Sequence, residues 1–437
     1  MSELTDEIVV ESELDLNKVY DLPQDIKIVS HNDMYLAIYT QGVLWVVLQN
    51  DEERDVFEDI KAKKPIGALF NSYSEEAVYN VIVQLEAKRF ESPITKESTD
   101  KSVYIYLTNN CNERCKHCYM YAGDVKIQEL SSDKWIEILT ELAAAGCTGV
   151  TFTGGEITVY KDFERVIRHA HQVGLMVSVL TNGVLWTDEL IESLSSCIDE
   201  VQISIDGYDR DSYYAVRQYD GFDLAINSVK QFCKYGTKVS VAVTPLYEGL
   251  KAFIEGFETF AKDFIKEYPE VLIKVNHELI PGREVNTTSE ENNEYKQQLI
   301  SMIERLYPDF YTEAFVLNYK DKTIRKNCGF GGVSIAPNGD VYWCNRIHEL
   351  KSAINILDHS IFEIMDISER VKRNTSVDNT SICNSCEIKY ICGGGCRIKY
   401  KGIDNCENHE GEWEYQCTEK ERLLDKMILC NDYFFEE

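Results

Sequence analysis

The chain has 437 residues, enough for two or three domains that each bury a core. Its 74 acidic residues against 45 basic ones give a net charge of −29, which argues against nucleic acid and against an anionic membrane surface as partners. No apolar run approaches the ~20 residues of a membrane span, and Met1-Ser2-Glu3-Leu4-Thr5-Asp6-Glu7 lacks the cationic and apolar regions of a signal peptide. Fifteen cysteines in a chain without an export signal point to metal binding rather than disulfides, hence to a cytoplasmic and oxygen-sensitive protein.

Residues 1–99 read as a small separate domain. Runs at 26–29, 34–39 and 44–48 predict three short strands, with turns at His31-Asn32-Asp33 and Gln41-Gly42. Helical stretches follow at 51–63, 66–71 and 74–88, the last with Ser74 as its cap. Size and element order resemble the winged-helix domain that binds leader peptides in many peptide-maturing enzymes. Such a domain captures an extended peptide as an added strand on an exposed sheet edge; the bland alternative is a structural cap. Ser92-Pro93-Ile94-Thr95-Lys96-Glu97-Ser98-Thr99-Asp100 is a polar linker.

From 100 to 310 the pattern is strand then helix, repeated. Strands are predicted at 103–108, 149–153, 176–180, 201–205, 238–243 and 271–277, with amphipathic stretches near 131–145, 161–173, 187–196, 222–235, 249–266 and 290–306. This alternation means a parallel sheet with crossover helices, an α/β fold whose chemistry sits at the strand C-terminal ends.

The polar motifs fall at those ends. After the first strand, Cys111, Cys115 and Cys118 are spaced C-x3-C-x2-C. Thiolates suit iron–sulfur clusters, and three of them leave one iron of a four-iron cube open to a chelating amine and carboxylate. A zinc knuckle is the alternative; it needs a fourth ligand, which only His117 offers. After the second strand comes Thr153-Gly154-Gly155-Glu156, two glycines for close backbone approach beside a carboxylate that can bind an ammonium group. Thr181 and Asn182 follow the third strand. Ser204-Ile205-Asp206-Gly207, and then Arg217, follow the fourth.

These residues resemble the signature of the radical S-adenosylmethionine (SAM) enzymes, including the aromatic Tyr119 after the last cysteine. The resemblance implies an open (β/α)6 partial TIM barrel in which Cys111, Cys115 and Cys118 hold the SAM-cleaving four-iron, four-sulfur (4Fe-4S) cluster. It further implies that Gly154, Gly155 and Glu156 receive the methionyl amine, and that Thr181 and Asn182 lie near the ribose. Ser204 and Arg217 would turn toward the SAM carboxylate, with Asp206 beside them or serving turn chemistry alone. Ile157 stands where the family has proline. Pro245, Glu278 and Arg283 either face the substrate or are plain loop residues, and Cys147, Cys197 and Cys233 read as packed thiols.

Residues 311–437 carry a second cysteine set. Cys328 and Cys344 enclose the turn Ala336-Pro337-Asn338-Gly339-Asp340, and Cys383, Cys386, Cys392 and Cys396 follow around Gly393-Gly394-Gly395, with Cys406, Cys417 and Cys430 later. A zinc ribbon is the alternative for either half. The spacing resembles the SPASM extension of radical SAM enzymes, an iron–sulfur domain with two auxiliary 4Fe-4S clusters. That resemblance assigns Cys383, Cys386, Cys392 and Cys417 to the outer cluster, and Cys328, Cys344 and Cys396 to the inner one. The fourth inner position is open or filled by Cys406; Cys430 reads as a packed thiol.

Domain order then resembles a maturase of ribosomally made peptides. It implies a precursor peptide with a leader as substrate, a flavodoxin or ferredoxin as electron donor, and an intramolecular cross-link as product. The best match is the carbon–carbon Lys–Trp bond of the streptide-forming enzymes. Alternatives are a thioether-forming maturase and a sulfatase-maturing type of dehydrogenase. A non-catalytic carrier or electron donor would need no SAM site.

Overall fold

A computed structural model of the chain describes residues 15–98, 101–308, 322–409 and 411–431, so the expected domain boundaries near 99 and 310 lie outside the described residues. Strands β1 (Ile26–His31), β2 (Met34–Tyr39) and β3 (Leu44–Leu48) form an antiparallel sheet in that order. Asn32 (φ 48°) and Asp33 (φ 59°) make the two-residue turn that pairs His31 with Met34. Both sit in the left-handed region that such a hairpin requires and that Asn and Asp tolerate best among non-glycine residues. Helices α1 (Asp51–Lys61), α2 (Ile66–Leu69) and α3 (Glu75–Ala87) follow; Asn50 caps α1 and Ser74 caps α3.

The unbroken apolar run of β3 is explained by burial on both faces. Leu44, Val46 and Leu48 pack onto α1 to α3, whereas Trp45 and Val47, with Leu36 and Ile38, pack onto Leu423, Leu424 and Met427 near the C-terminus. The Trp45 indole N–H donates to the Met427 carbonyl at 3.0 Å. The outer edge of β3 is closed by side chains. Gln84 accepts from the Val47 N–H at 2.9 Å and donates to the Val47 carbonyl at 2.7 Å, and Lys88 donates to the Trp45 carbonyl at 2.9 Å.

After β4 (Lys96–Glu97) come β5 (Ser102–Thr108), α4 (Ser132–Ala144), β6 (Gly149–Gly154), α5 (Phe163–Gln172), β7 (Met176–Thr181), α6 (Asp188–Leu194) and β8 (Glu200–Ser204). Helices α7 (Arg210–Arg217) and α8 (Phe222–Lys234), β9 (Lys238–Val243), α9 (Leu250–Glu267), β10 (Leu272–Val275) and α10 (Ser289–Leu306) complete this region. Strands β5 to β10 are parallel, each beside the next, and begin and end within a residue or two of the sequence expectation. Helix α7 was not anticipated: it has 8 residues and is set by a capping box between Asp209 and Ser212. On each parallel strand one face is apolar and packs on helices, as with Val150 and Phe152 or Val239 and Val241. The other face is polar and half-buried, as with Thr151, Thr153, Gln202, Ser204 and Ser240.

The C-terminal third extends this sheet. Strand β11 (Thr323–Ile324) pairs with β4, while β12 (Ser334–Ile335), β13 (Asp340–Tyr342) and β14 (Ile354–Asn355) continue the nine-stranded sheet beyond β5, with Ser334 opposite Tyr104. Helices α11 (Ile361–Asn374), α12 (Lys389–Cys392) and α13 (Lys420–Leu429) follow. No described helix is long and apolar enough to cross a membrane.

Candidate cluster and cofactor site

Cys111, Cys115 and Cys118 occupy the loop that leaves β5 at the C-terminal end of the parallel strands. Burial pushes the Cys111 thiol up to about 12, and Cys115 is raised by burial as well. Such thiols stay protonated in neutral water and give up the proton to a metal.

The loop is held from three sides. Glu129 accepts from the Thr108 hydroxyl, the Asn109 N–H and the Asn110 amide. The Lys116 N–H donates to the Val216 carbonyl at 2.9 Å. Arg283, beyond β10, donates to the carbonyls of Cys115 (2.8 Å) and Ala122 (3.0 Å) and pairs with Asp124 at 2.9 Å. Gly282 approaches so closely that a Cβ there would stand 2.6 Å from the His117 carbonyl. Arg283 is thus a clamp on the cysteine loop. Glu278 pairs with Arg346 at 3.3 Å, and the Pro245 carbonyl accepts from the Tyr295 hydroxyl.

Beneath the loop lies a buried ionic group. The Arg217 Nε is 2.7 Å from Asp206 and its Nη1 is 2.9 Å from Glu113, which also accepts from the Tyr213 hydroxyl. His117 Nε2 lies 2.7 Å from Asp206. Burial alone would raise the Asp206 carboxyl; Arg217 and His117 outweigh it and hold the group below the usual carboxylate range. Arg217, expected at the SAM carboxylate, therefore hydrogen-bonds Glu113 through Nη1 and faces Asp206 as an ion pair, with no hydrogen bond from its Nε among the described residues. Asp206 ties the end of β8 to the cysteine loop instead of merely shaping a turn. His117 faces Asp206 and not the thiols, which removes the fourth ligand that a zinc knuckle would need.

The Gly-Gly-Glu segment at the end of β6 is pressed against the same loop. A Cβ at Gly154 would stand 2.4 Å from the Thr108 carbonyl, and one at Gly155 2.2 Å from that of Asn110. Glu156 is fully buried and faces inward: it accepts from Thr158 N–H (3.1 Å) and hydroxyl (2.8 Å), the Thr181 hydroxyl (2.7 Å) and the Asn182 N–H (2.7 Å). Burial lifts its carboxyl above the ordinary value even so. The carboxylate expected to meet an ammonium group here locks the β7 loop. Thr181 also accepts from Gly183 N–H and the Trp186 indole, and Asn182 spends its side chain on Val184 and Asn112. Ser204 ends β8 on its polar face. Tyr119 stacks on His348 with ring centroids 4.2 Å apart, and the Tyr106 hydroxyl donates to the Asn345 carbonyl, so the cysteine loop abuts the segment that carries Cys344.

The later cysteines form two groups. Cys383, pushed up to about 11 by burial, lies within electrostatic reach of Cys392, Cys386 and Cys417. Cys344, raised by burial, has Cys328 and Cys396 as its thiol neighbours. Gly393, Gly394 and Gly395 all take positive φ (72°, 79° and 65°), so the N–H groups of Gly394 and Gly395 reach the Cys392 sulfur. Their carbonyls turn onto the fully buried Arg397, which donates to those of Gly393, Gly394 and Gly395 and also to those of Thr375 and Lys326. Cys406 is 1% exposed in the main core with Tyr400, Ile403 and Trp413, a core against which Cys344 also packs. Cys147 and Cys197 are likewise buried in that core, with Cys233 packed against it. Cys430 joins the core between β3 and α13.

Sequence reasoning missed Glu113, Glu129, Asn112 and the clamp role of Arg283. The Glu113 carboxylate and the His117 imidazole inside a cysteine loop were the available signal that buried polar partners exist elsewhere.

Residues 105–255 match the radical SAM superfamily. Over 344 residues the chain is 30% identical to the mycofactocin maturase MftC of Mycolicibacterium smegmatis, covering 73% of this chain and 85% of that one. The sporulation killing factor maturation protein SkfB of Bacillus subtilis is 38% identical over 144 residues, 33% of this chain and only 35% of that protein. Among solved structures, native anSMEcpe with bound AdoMet and Cp18Cys peptide superposes with a TM-score of 0.52 at 17% identity, covering 76% of this chain and 99% of that one, a likeness of fold alone. The chain belongs to the radical SAM peptide maturases.

Membership implies SAM and a 4Fe-4S cluster, and the loop fits both. It offers three thiols in one short segment, with the Gly154-Gly155 backbone held against it by contacts that no side chain would permit. Among the described residues no three His, Cys, Asp or Glu side chains converge at the spacing of a single metal ion. In a cube each thiolate holds a separate iron.

Proposed function

We propose that this chain closes an intramolecular cross-link in a ribosomally made precursor peptide, with the Lys–Trp carbon–carbon bond of the streptide-forming enzymes as the first product to seek. The observation that carries this reading is the packing of Tyr119 on His348, which joins the loop of Cys111, Cys115 and Cys118 to the segment of Cys344. When bound, SAM and its cluster supply a 5′-deoxyadenosyl radical that takes a hydrogen atom from the substrate, and auxiliary clusters offer a destination for the electron released by a net oxidation. Cys111, Cys115 and Cys118 would hold the first cluster; Cys383, Cys386, Cys392 and Cys417 the outer auxiliary one; Cys328, Cys344 and Cys396 the inner one. Gly154 and Gly155 would present backbone to SAM, while Glu156, Thr181, Asn182, Asp206 and Arg217 hold that surface in shape.

Residues 1–99 would recognise the leader, 100–310 form the radical core and 311–437 the SPASM extension. Because Gln84 and Lys88 close the edge of β3, β1 is the edge at which a leader strand would add. Work in the cytoplasm with a flavodoxin or ferredoxin as reductant completes the reading. One observation favours the thioether alternative: Cys344 has Cys328 and Cys396 as its thiol neighbours, and a group of those three would leave an iron to which a substrate thiolate could bind.

The test is incubation of the iron-loaded enzyme with SAM, a reductant and the peptide of the adjacent reading frame, followed by mass spectrometry. Loss of two hydrogens, with fragments locating the link at Lys and Trp, is expected; a link at cysteine sulfur would select the alternative. Cys→Ala at position 111, 115 or 118 should abolish 5′-deoxyadenosine, and wild-type SAM cleavage in all three variants would sink the reading.

A further inference from the structure

Asn112 carries a buried amide donor with nothing to receive it, and the orientation of that amide is fixed by a chain of hydrogen bonds. The backbone N–H of Val184 can only donate, and it does so to Asn182 Oδ1 at 3.0 Å. Asn182 Nδ2 is then the atom that faces Asn112, 2.8 Å from Asn112 Oδ1. A donor requires an acceptor opposite it, so the Asn112 oxygen is spent on Asn182 and its Nδ2 points elsewhere. That nitrogen is buried and has no hydrogen-bond partner among the described residues.

Buried polar atoms without partners are rare, because burial removes their water and returns nothing. This one follows Cys111 directly on the loop, and its partner Asn182 is tied through its backbone N–H to Glu156 at 2.7 Å. The donor thus lies between the first cysteine and the Gly-Gly-Glu end of β6. Arg217, the cation expected for the SAM carboxylate, is ion-paired with Asp206 and Glu113, although its Nε, 2.7 Å from Asp206, makes no hydrogen bond among the described residues.

We propose that Asn112 is a binding residue for the group that fills the cysteine loop, its Nδ2 donating to an acceptor which that group brings. The acceptor is either an oxygen of the SAM carboxylate or a sulfide of the cluster. The proposal rests on membership of the radical SAM family and not on the cross-link formed, so it can fail while the peptide reading stands.

Two variants of the full chain separate the sources. Asn112→Asp keeps the acceptor for Asn182 and removes the donor; Asn112→Ser, whose shorter hydroxyl falls short of the Nδ2 position, withdraws the donor without adding charge. Each is loaded with iron. SAM affinity is then measured by equilibrium dialysis, and the potential of the SAM-free cluster by redox titration with electron paramagnetic resonance. If the carboxylate is the acceptor, the SAM dissociation constant rises about tenfold in both variants at an unchanged potential. If a sulfide is the acceptor, the potential falls in both at unchanged SAM affinity, since N–H donors to cluster sulfur favour the reduced form. Wild-type values for both quantities overturn the proposal. Thermal unfolding of the iron-free protein needs no loading: Asn112→Asp, which keeps the acceptor for Asn182, should unfold close to wild type, and a large fall would make the residue merely structural and overturn the proposal too.

Discussion

Arg217 and Asp206 meet at 2.7 Å beneath the cysteine loop, both almost fully enclosed. A buried ion pair seldom adds net stability, because desolvation offsets attraction, but removing one partner strands the other. Here the stranded groups would be Asp206 and Glu113 together. Arg217→Met is therefore expected to cost about 3–5 kcal/mol and to lower iron retention by Cys111, Cys115 and Cys118. Arg217→Lys keeps the charge but cannot span both carboxylates, and should fall between. Urea unfolding of the iron-free proteins gives the comparison; a loss under about 1 kcal/mol in the Met variant would mean the pair is dispensable.

Arg283 separates two roles. Its contacts with Cys115, Ala122 and Asp124 make it a clamp on the cluster loop. Arg283→Ala should reduce iron content and SAM affinity while leaving peptide affinity near wild type, because it loses three bonds worth roughly 0.5–1.5 kcal/mol each. The opposite pattern, full iron with weakened peptide binding, would return the residue to the substrate face.

The strands and the cysteine spacing were legible because each is a local signal. Alternation marks a half-buried strand within five residues, and three thiols in eight positions mark a loop ligand set. The side-chain directions at the site were not legible. Glu113 meets Arg217 104 residues later and His117 meets Asp206 89 residues later, pairings that only the assembled sheet creates. Glu156 reads in the sequence as a carboxylate for an ammonium group, and its bonds from the Thr181 hydroxyl and the Asn182 N–H, 25 and 26 residues on, were not legible there. The apolar run Leu44–Leu48 announced two-sided burial without naming its second partner. The two-residue β12, which carries the C-terminal third onto β5, is too short to leave any periodicity.

Trp45 tests that second partner. It is 2% exposed, packed between β3 and the C-terminal helix, with its N–H on the Met427 carbonyl. Trp45→Ala should cost about 3–5 kcal/mol. Removing residues 1–99 altogether would uncover Leu423, Leu424 and Met427, so the truncated protein is expected to aggregate. A truncated protein that stays monomeric by light scattering, with wild-type iron content, would show that this junction is not needed.

Arg397 is fully buried against five backbone carbonyls, three of them from Gly393, Gly394 and Gly395. The planar fork suits this arrangement and a lysine ammonium does not. Arg397→Lys should release the glycine turn that aims N–H groups at Cys392, lowering the outer cluster's iron and shifting its spectrum while SAM cleavage by the first cluster persists. Loss of all clusters together would indicate general unfolding in place of this local role.

Cys406 decides how the inner thiol group is completed. Cys328, Cys344 and Cys396 are neighbours, whereas Cys406 is enclosed in the core with Tyr400, Ile403 and Trp413, and its carbonyl accepts from the Asn374 amide. Burial pushes its thiol up to about 12, as it does that of Cys111. Cys406→Ala is therefore expected to keep its iron, with a modest destabilisation of about 1–2 kcal/mol from the lost sulfur packing. The inner cluster spectrum should change on adding a thiol-bearing peptide in wild type and variant alike, since the open position does not depend on Cys406. Iron is counted per chain in the purified variant. Loss of about four irons, the content of one such cluster, would mean that the segment around Cys406 rearranges to supply the fourth thiolate. The inner cluster would then be closed, able to pass electrons but not to bind sulfur, and the thioether reading would lose its support.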